Sequence, residues 1–464
     1  MSDGLAINRE TALLMICDIS EQRTVNRELI SGLGYRLEVA LLLLYVSLTV
    51  LSCLQGGNDG ASFASSTVVI FKHGKLSGDP RTFEALLREF ERRHPGVLVR
   101  EELLPSSTDQ QHQFYAINLE DQRTTFDLLA ADVIWVQEFA RAGWVQDLDH
   151  LLPPLERDLY FPAAIQAATF EQHLHAIPWY MDAGMLYYRR DLLDRYGFSP
   201  PRTWPELVRI ARTILQGERE RTLHGFVWQG KQYEGLVCVA LEFIWGHGAN
   251  SLSEEDPGAE AALTFMRNLI VRDKISPAMV LTADEEATRH LFGAGRALFM
   301  RNWPYAWPLF QQEGSPVRGK VGIAPLPSFP GYESASTLGG WMLAIPRRAA
   351  HQREAAQLIA FLTSPEIQRR MALDIGYKPA RRDLYRDPAL LQSQPWLREL
   401  APVLLAARPR PLSPYYLMLS QALQPELSAA LVGTKSPREA LASAKRQMTH
   451  ILGREVDPLP VYLR

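Results

Sequence analysis

Residues 68–103 hold a short apolar run, an amphipathic helix pattern and a second apolar run, and that order leaves few folds open. Val68–Phe71 (VVIF) predicts a strand. From Thr82 to Arg93, Phe83, Leu86, Leu87 and Phe90 recur at helical spacing, so one face is apolar. The pattern stops before His94-Pro95-Gly96, and Val97–Leu103 predicts the next strand. Strand, helix, strand at this spacing is a βαβ unit, which implies a parallel sheet with helices on its faces. Downstream, Asp127–Trp135 ends in a strand-like stretch and Met185–Tyr188 predicts another strand. Asp191–Tyr196 predicts a short helix stopped by Gly197. Thr203-Trp204-Pro205-Glu206 is a capping box for a helix through Leu215. Ser364-Pro365-Glu366 and Ser436-Pro437-Arg438-Glu439 open two more helices, with serine as cap and proline in the first turn. Past residue 380 the pattern is mainly helical. The expected class is α/β with a helical C-terminal section.

A chain of 464 residues can form two or three domains or one large two-lobed body. Its net charge of -3 gives no general attraction to nucleic acid or to an anionic membrane surface. Three cysteines occur, Cys17, Cys53 and Cys238. If the first two are lost to processing and acylation, Cys238 remains as a small buried hydrophobe, and the mature chain depends on its core without a disulfide.

The N-terminal region reads as an export leader over residues 1–53. Val39–Leu51 is apolar and uncharged, long enough for a signal-peptide core and short for a membrane-spanning helix. Arg23, Arg27 and Arg36 precede it, and Val50-Leu51-Ser52-Cys53 resembles a lipobox with Cys53 as the acylated residue. Residues 1–35 lengthen this leader, as a start codon assigned too early does. Residues 54–66, mostly small and polar, read as a flexible tether.

The common catalytic patterns are missing from the sequence. His173-Leu174-His175 lacks the i, i+4 spacing of a helical zinc pair and reads as a surface loop. Neither a G-x-S-x-G elbow nor a P-loop lysine motif occurs. No cofactor or metal is expected. Tryptophan and tyrosine instead stand beside isolated acids. Asp132 precedes Trp135; Trp179 and Tyr180 precede Asp182; Asn302–Trp307 packs Trp303, Tyr305 and Trp307 together; Gly339-Gly340 precedes Trp341. Sugars suit such surfaces, because their C–H faces stack on aromatic rings while hydroxyl pairs donate to carboxylates. Each aromatic is as readily a core residue, and Asp79 as readily caps the helix that begins at Pro80.

At these residues the chain resembles the family 1 extracellular solute-binding proteins, and closely their trehalose/maltose-binding branch. The resemblance runs from Val68 to Ala444 and is carried by FVWQGKQYEGLVC (226–238), RNWPYAW (301–307), VGIAPLP (321–327), TLGGW (337–341) and PRPLSPYY (409–416). It implies a type II periplasmic-binding-protein-like fold of two hinge-linked α/β lobes. Lobe I would hold residues 67–180 and 329–375, and lobe II 181–328 and 376–464. It implies that Asp132 and Asp182 grip sugar hydroxyls and that Tyr180, Trp303 and Trp341 form aromatic walls. Gly340 would give close backbone approach, Arg410 would donate from lobe II, and Asp79 stands where the family often has glutamate. The implied partners are a disaccharide and the transmembrane subunits of an ABC permease, with a monomeric protein held at the membrane by its lipid alone. A secreted glycoside hydrolase using Asp132 and Asp182, or a solute sensor closing in the same way, fits the same residues.

Overall fold

The computed structural model describes residues 66–453 apart from 77–78, 106 and 122–123. Cys53, the leader and nearly all of the tether lie outside the described residues. The strands, in chain order, are β1 (Thr67–Gly74), β2 (Val97–Leu104), β3 (Leu128–Asp132), β4 (Thr169–Phe170), β5 (His173–Leu174), β6 (Ile177–Ala183), β7 (Met185–Arg189), β8 (His224–Val227), β9 (Ala297–Asn302), β10 (Val321–Ala324), β11 (Ser336–Ala344) and β12 (Ala407–Arg408).

The βαβ expectation is met. β1 and β2 pair in parallel from Thr67↔Val97, and the helix Pro80–Arg93 between them buries Phe83, Leu86, Leu87 and Phe90. β3 joins β1 in parallel on its other side. β11 then runs antiparallel to β3 and to β6, so the first sheet has the order β2-β1-β3-β11-β6, with β12 beside the start of β11. A second sheet has the order β10-β7-β9-β8. Two α/β lobes follow, one around each sheet. Helices Tyr416–Val432 and Pro437–Leu452 pack together, and both also pack on Pro257–Val271.

Three local expectations are refined. The extended run stops at Asp132, four residues before the helix Val136–Arg141, because the Asp132 carbonyl accepts from Trp135 N at 2.9 Å and its carboxylate from Ile134 N at 3.2 Å. Thr203 caps its helix through Glu206 N, but the Glu206 carboxylate turns to Arg202 N at 2.9 Å, so only half of that box forms. Ser436 and Glu439 complete both halves of theirs. His173 and Leu174 are not loop but a strand paired with β4, since Leu174 is fully buried.

The chain first passes from the first sheet to the second through one residue, Gly184, between β6 and β7. All of β6, including Asp182, therefore belongs to the first sheet, although a division after residue 180 assigned Asp182 to lobe II. Gly184 is required by its neighbours. A Cβ there would lie 1.9 Å from Glu242 Oε1 and 2.5 Å from Arg301 Nη2. Those two side chains form a buried ion pair, with Arg301 Nε donating to Glu242 Oε2 at 2.8 Å and Nη2 to Oε1 at 2.5 Å. Glu242 Oε1 also accepts from Thr337 N at 3.1 Å, which ties the helix Glu234–Gly246 to the strand that returns to the first sheet. Cys238, one turn earlier on that helix, is a buried free thiol.

Candidate functional site

Strand register brings five of the expected residues together. Trp341 on β11 pairs with Asp132 on β3 and with Tyr180 on β6; Gly340 pairs with Met181 and Gly339 with Asp182. Residues two apart on a strand share a face, and residues opposite across a ladder have Cβ atoms within about 5.5 Å. Asp132, Trp341 and Tyr180 therefore form one cross-strand row, with Asp182 two residues beyond Tyr180. Trp341 stands edge-on to Trp135, ring centroids 5.6 Å apart. Tyr180 is buried against Tyr377 at 4.2 Å and Trp179 at 5.1 Å.

The two glycines serve different neighbours. Gly340 has φ +133, and a Cβ there would meet the Tyr180 carbonyl oxygen at 2.6 Å, so its close approach is to the β6 backbone. A Cβ on Gly339 would lie 3.2 Å from the six-membered ring of Trp303 and 3.4 Å from Asp182 Cβ. Bare backbone at Gly339 thus lets Trp303, which follows β9 of the second sheet, reach the first.

Trp303 is held on three sides. Its indole N–H donates to Glu285 Oε1 at 3.2 Å, its backbone N–H to Asn302 Oδ1 at 2.8 Å, and its carbonyl accepts from Tyr187 at 2.8 Å. The Arg301 guanidinium lies 4.0 Å from the ring centroid, covering one face as a cation–π pair. Arg410 arrives from the segment after β12. Its Nη1 donates to Glu234 Oε1 at 2.8 Å and its Nη2 reaches Asp132 Oδ1 at 3.4 Å.

Burial controls the charge of the acids. It pushes the Asp132 carboxyl above its ordinary value, against the opposing pull of the Arg410 guanidinium. Asp182 is pushed up to about 7, chiefly by burial and further by Asp132, while the ammonium of Lys378 draws it back. Lys378 is itself pushed down to about 7 by burial. It arrives because Met181 N donates to the Lys378 carbonyl at 3.0 Å, pairing the edge of β6 with a segment nearly two hundred residues on.

Asp79, the eighth expected residue, is engaged at the start of its own helix. It caps the helix Pro80–Arg93 through Arg81 N at 3.0 Å and pairs with the Arg81 guanidinium, its side chain 46% exposed. A groove of about 780 Å³ lined by Trp307, Trp396, Lys378 and Gln311 contains none of the eight expected residues. Trp307 stacks on Trp396 there, at 5.2 Å. His173 meets Asp147 and Asp149 at 3.0 and 2.8 Å, a grouping its spacing from His175 did not reveal; Arg157 already pairs with Asp149 at 2.6 Å. Among the described residues no helix is long and apolar enough to cross a membrane.

Glu234, Glu285 and Lys378 were missed by sequence reasoning. Glu234 had a signal: it and Glu242 are the two acids of a mainly apolar helix, where an acid removed from water requires a partner.

Comparison with known proteins agrees with this architecture. Residues 74–369 match the model of the bacterial extracellular solute-binding protein family. A probable ABC transporter-binding protein of Deinococcus radiodurans is 37% identical over 364 residues, 76% of this chain and 86% of the relative. The maltotriose-binding protein of Pyrococcus abyssi is 25% identical over 71% of this chain and 70% of its own length. The solved structure of maltose-bound MalE3 from T. maritima superposes with a TM-score of 0.77 at 38% identity, covering 83% of this chain and all of that one. The family works outside the cytoplasm, and its members capture solutes rather than transform them. With its two sheets, its single-residue crossing at Gly184 and a family match over most of the folded body, the chain belongs to the bacterial extracellular solute-binding proteins of ABC importers.

Proposed function

We propose that this protein captures a disaccharide of the trehalose/maltose type between its two lobes and delivers it to the transmembrane subunits of an ABC importer, as a monomer held at the membrane by an acyl group on Cys53. The observation that carries the reading is the convergence of Trp303 from the second sheet on the Trp341–Asp132–Asp182 row of the first, across the bare backbone of Gly339. Arg301 occupies one face of the Trp303 indole. The reading assigns the other face to a sugar ring, with Trp341 and Tyr180 as further walls. The carboxylates of Asp132 and Asp182 accept from ring hydroxyls, and Arg410 donates to a hydroxyl oxygen. Two of the relatives named above bind maltose and maltotriose by their own descriptions, which fits an α-linked glucose ligand.

Binding and closure form one equilibrium. A sugar that touches both Trp303 and Trp341 binds the closed form better than the open one, and that difference in affinity drives closure. Trp303→Ala removes the second-sheet wall. It should weaken binding by about 2 kcal/mol, roughly thirtyfold. Titration calorimetry with maltose and trehalose measures this directly, and an unchanged affinity would remove Trp303 from the site.

A further inference from the structure

The Arg410 guanidinium is buried, its side chain 4% exposed, and its hydrogen bonding is lopsided. Nη1 has a good bond, 2.8 Å to Glu234 Oε1. Nη2 has only long contacts, 3.4 Å to Asp132 Oδ1 and 3.4 Å to the Leu338 carbonyl. Nε is buried with no partner. Nε and Nη2 share one edge of the planar fork, the edge that grips two oxygens at once. The tied nitrogen is therefore the remote one, and the under-bonded edge lies on the side of Asp132. Buried donors are rarely left in this state.

Glu234 determines that orientation. It is the first residue of the helix Glu234–Gly246, a position where the helix dipole favours negative charge. Its Oε1 also accepts from the Tyr416 hydroxyl at 2.7 Å, and its Oε2 accepts from Ser420. Tyr416 and Ser420 lie one turn apart on the helix Tyr416–Val432. Three donors from the C-terminal section thus converge on one carboxylate of the middle of the chain, which leaves Glu234 one favoured placement and Arg410 one favoured direction.

We propose that Glu234 is a positioning residue for the binding site: by tying Nη1 it aims the Nε/Nη2 edge of Arg410 at Asp132 and at the hydroxyl oxygens of the ligand, without touching the ligand itself. This rests on the assignment of Arg410 as a sugar contact. Because Asp132 belongs to the first sheet and Glu234 to the helix behind the second, the aimed guanidinium also links the two lobes as they close.

The test is a double-mutant cycle on the full folded chain, read by calorimetry with maltose and with trehalose: wild type, Glu234→Gln, Arg410→Met and both together. Glu234→Gln should lose about tenfold in affinity, as expected for losing one hydrogen bond to a charged group. In the Arg410→Met background the same change should cost nothing more, because no guanidinium remains to be aimed. Glu234→Asp keeps the charge and should recover part of the loss. Fully additive losses, or an unchanged Glu234→Gln, overturn the proposal while leaving Arg410 as a contact. An unchanged Arg410→Met overturns the underlying assignment instead. Should Glu234→Gln not fold, Tyr416→Phe provides the second arm. It removes one donor from Glu234, so a loss of affinity absent in the Arg410→Met background supports the proposal, and an equal loss in both backgrounds overturns it.

Discussion

The two lobes reach the candidate site by different physical means. The first contributes Asp132, Tyr180, Asp182, Gly340 and Trp341 from three neighbouring strands, each placed by ladder register. The second contributes Trp303 from just beyond β9, and Arg410 joins it from the segment after β12; both are placed by side-chain hydrogen bonds and ion pairs. Register is set by many backbone bonds and a buried face, so single substitutions move it little. A network of charges behaves otherwise, because every member left unpaired in a dry interior carries its full desolvation cost. The binding half built from strands should therefore tolerate change, and the half built from charges should not.

The sharpest way to break that contrast lies at the root of the second lobe. Glu242→Ala leaves Arg301 buried without its carboxylate and Thr337 N without an acceptor. Removing one partner of such a pair should cost about 3–5 kcal/mol of folding stability. Denaturant unfolding of the purified chain measures it. Trp303 stacks on Arg301, so ligand affinity should fall together with stability. A cost under about 1 kcal/mol, the range of an exposed ion pair, would mean that charge pairing does not hold this lobe in place.

How much of this was legible in the sequence follows the same division. The βαβ start, the strand ending at Asp132 and the strand after Asp182 were readable from apolar runs and turn residues, since register and periodicity are local properties. The aromatic–acid strings gave Trp303, Trp341 and Asp182 by residue type. The partners that fix the second lobe act across 59 positions for Glu242–Arg301 and 176 for Glu234–Arg410, and nothing local encodes such pairings. The available signal was a charge in the wrong company: Glu242 lies between Leu241 and Phe243 on a helix buried nearly all round. Lys378, in a loop, gave no such signal. Asp182 joins the first sheet for a related reason, because β6 keeps its ladder with β11 as far as Ala183.

The strand-built half contains two acids that burial pushes up, Asp132 and Asp182, and Asp182 gives the next effect. Asp182 is pushed up to about 7, so its proton competes with sugar hydroxyls for the same oxygens. Binding favours the carboxylate. Affinity should therefore fall as the pH is lowered and Asp182 takes up its proton. Calorimetry with maltose across pH 5 to 9 follows this. Asp182→Asn should weaken the dependence. Lys378→Met should move the fall to higher pH, because the ammonium that draws Asp182 down is gone. An affinity unchanged from pH 5 to 9 would show that protonation of Asp182 does not govern binding.

The smallest effect is expected where neither means of placement operates. Asp79 is near the site by analogy of sequence, yet its carboxylate is half exposed and already satisfied by Arg81 N and the Arg81 guanidinium. Those bonds hold its carboxyl below the ordinary carboxylate range, so it is charged throughout the neutral pH window. To grip a sugar it would have to surrender a backbone cap and an ion pair, both formed within three residues of chain. Asp79→Ala should therefore loosen the first turn of the helix Pro80–Arg93 and lower the thermal midpoint, as loss of an N-cap does, while leaving sugar affinity within about twofold, the range of a surface substitution. A tenfold loss of affinity would show that Arg81 releases the carboxylate on closure, and the first lobe would then also owe part of its grip to a movable charge.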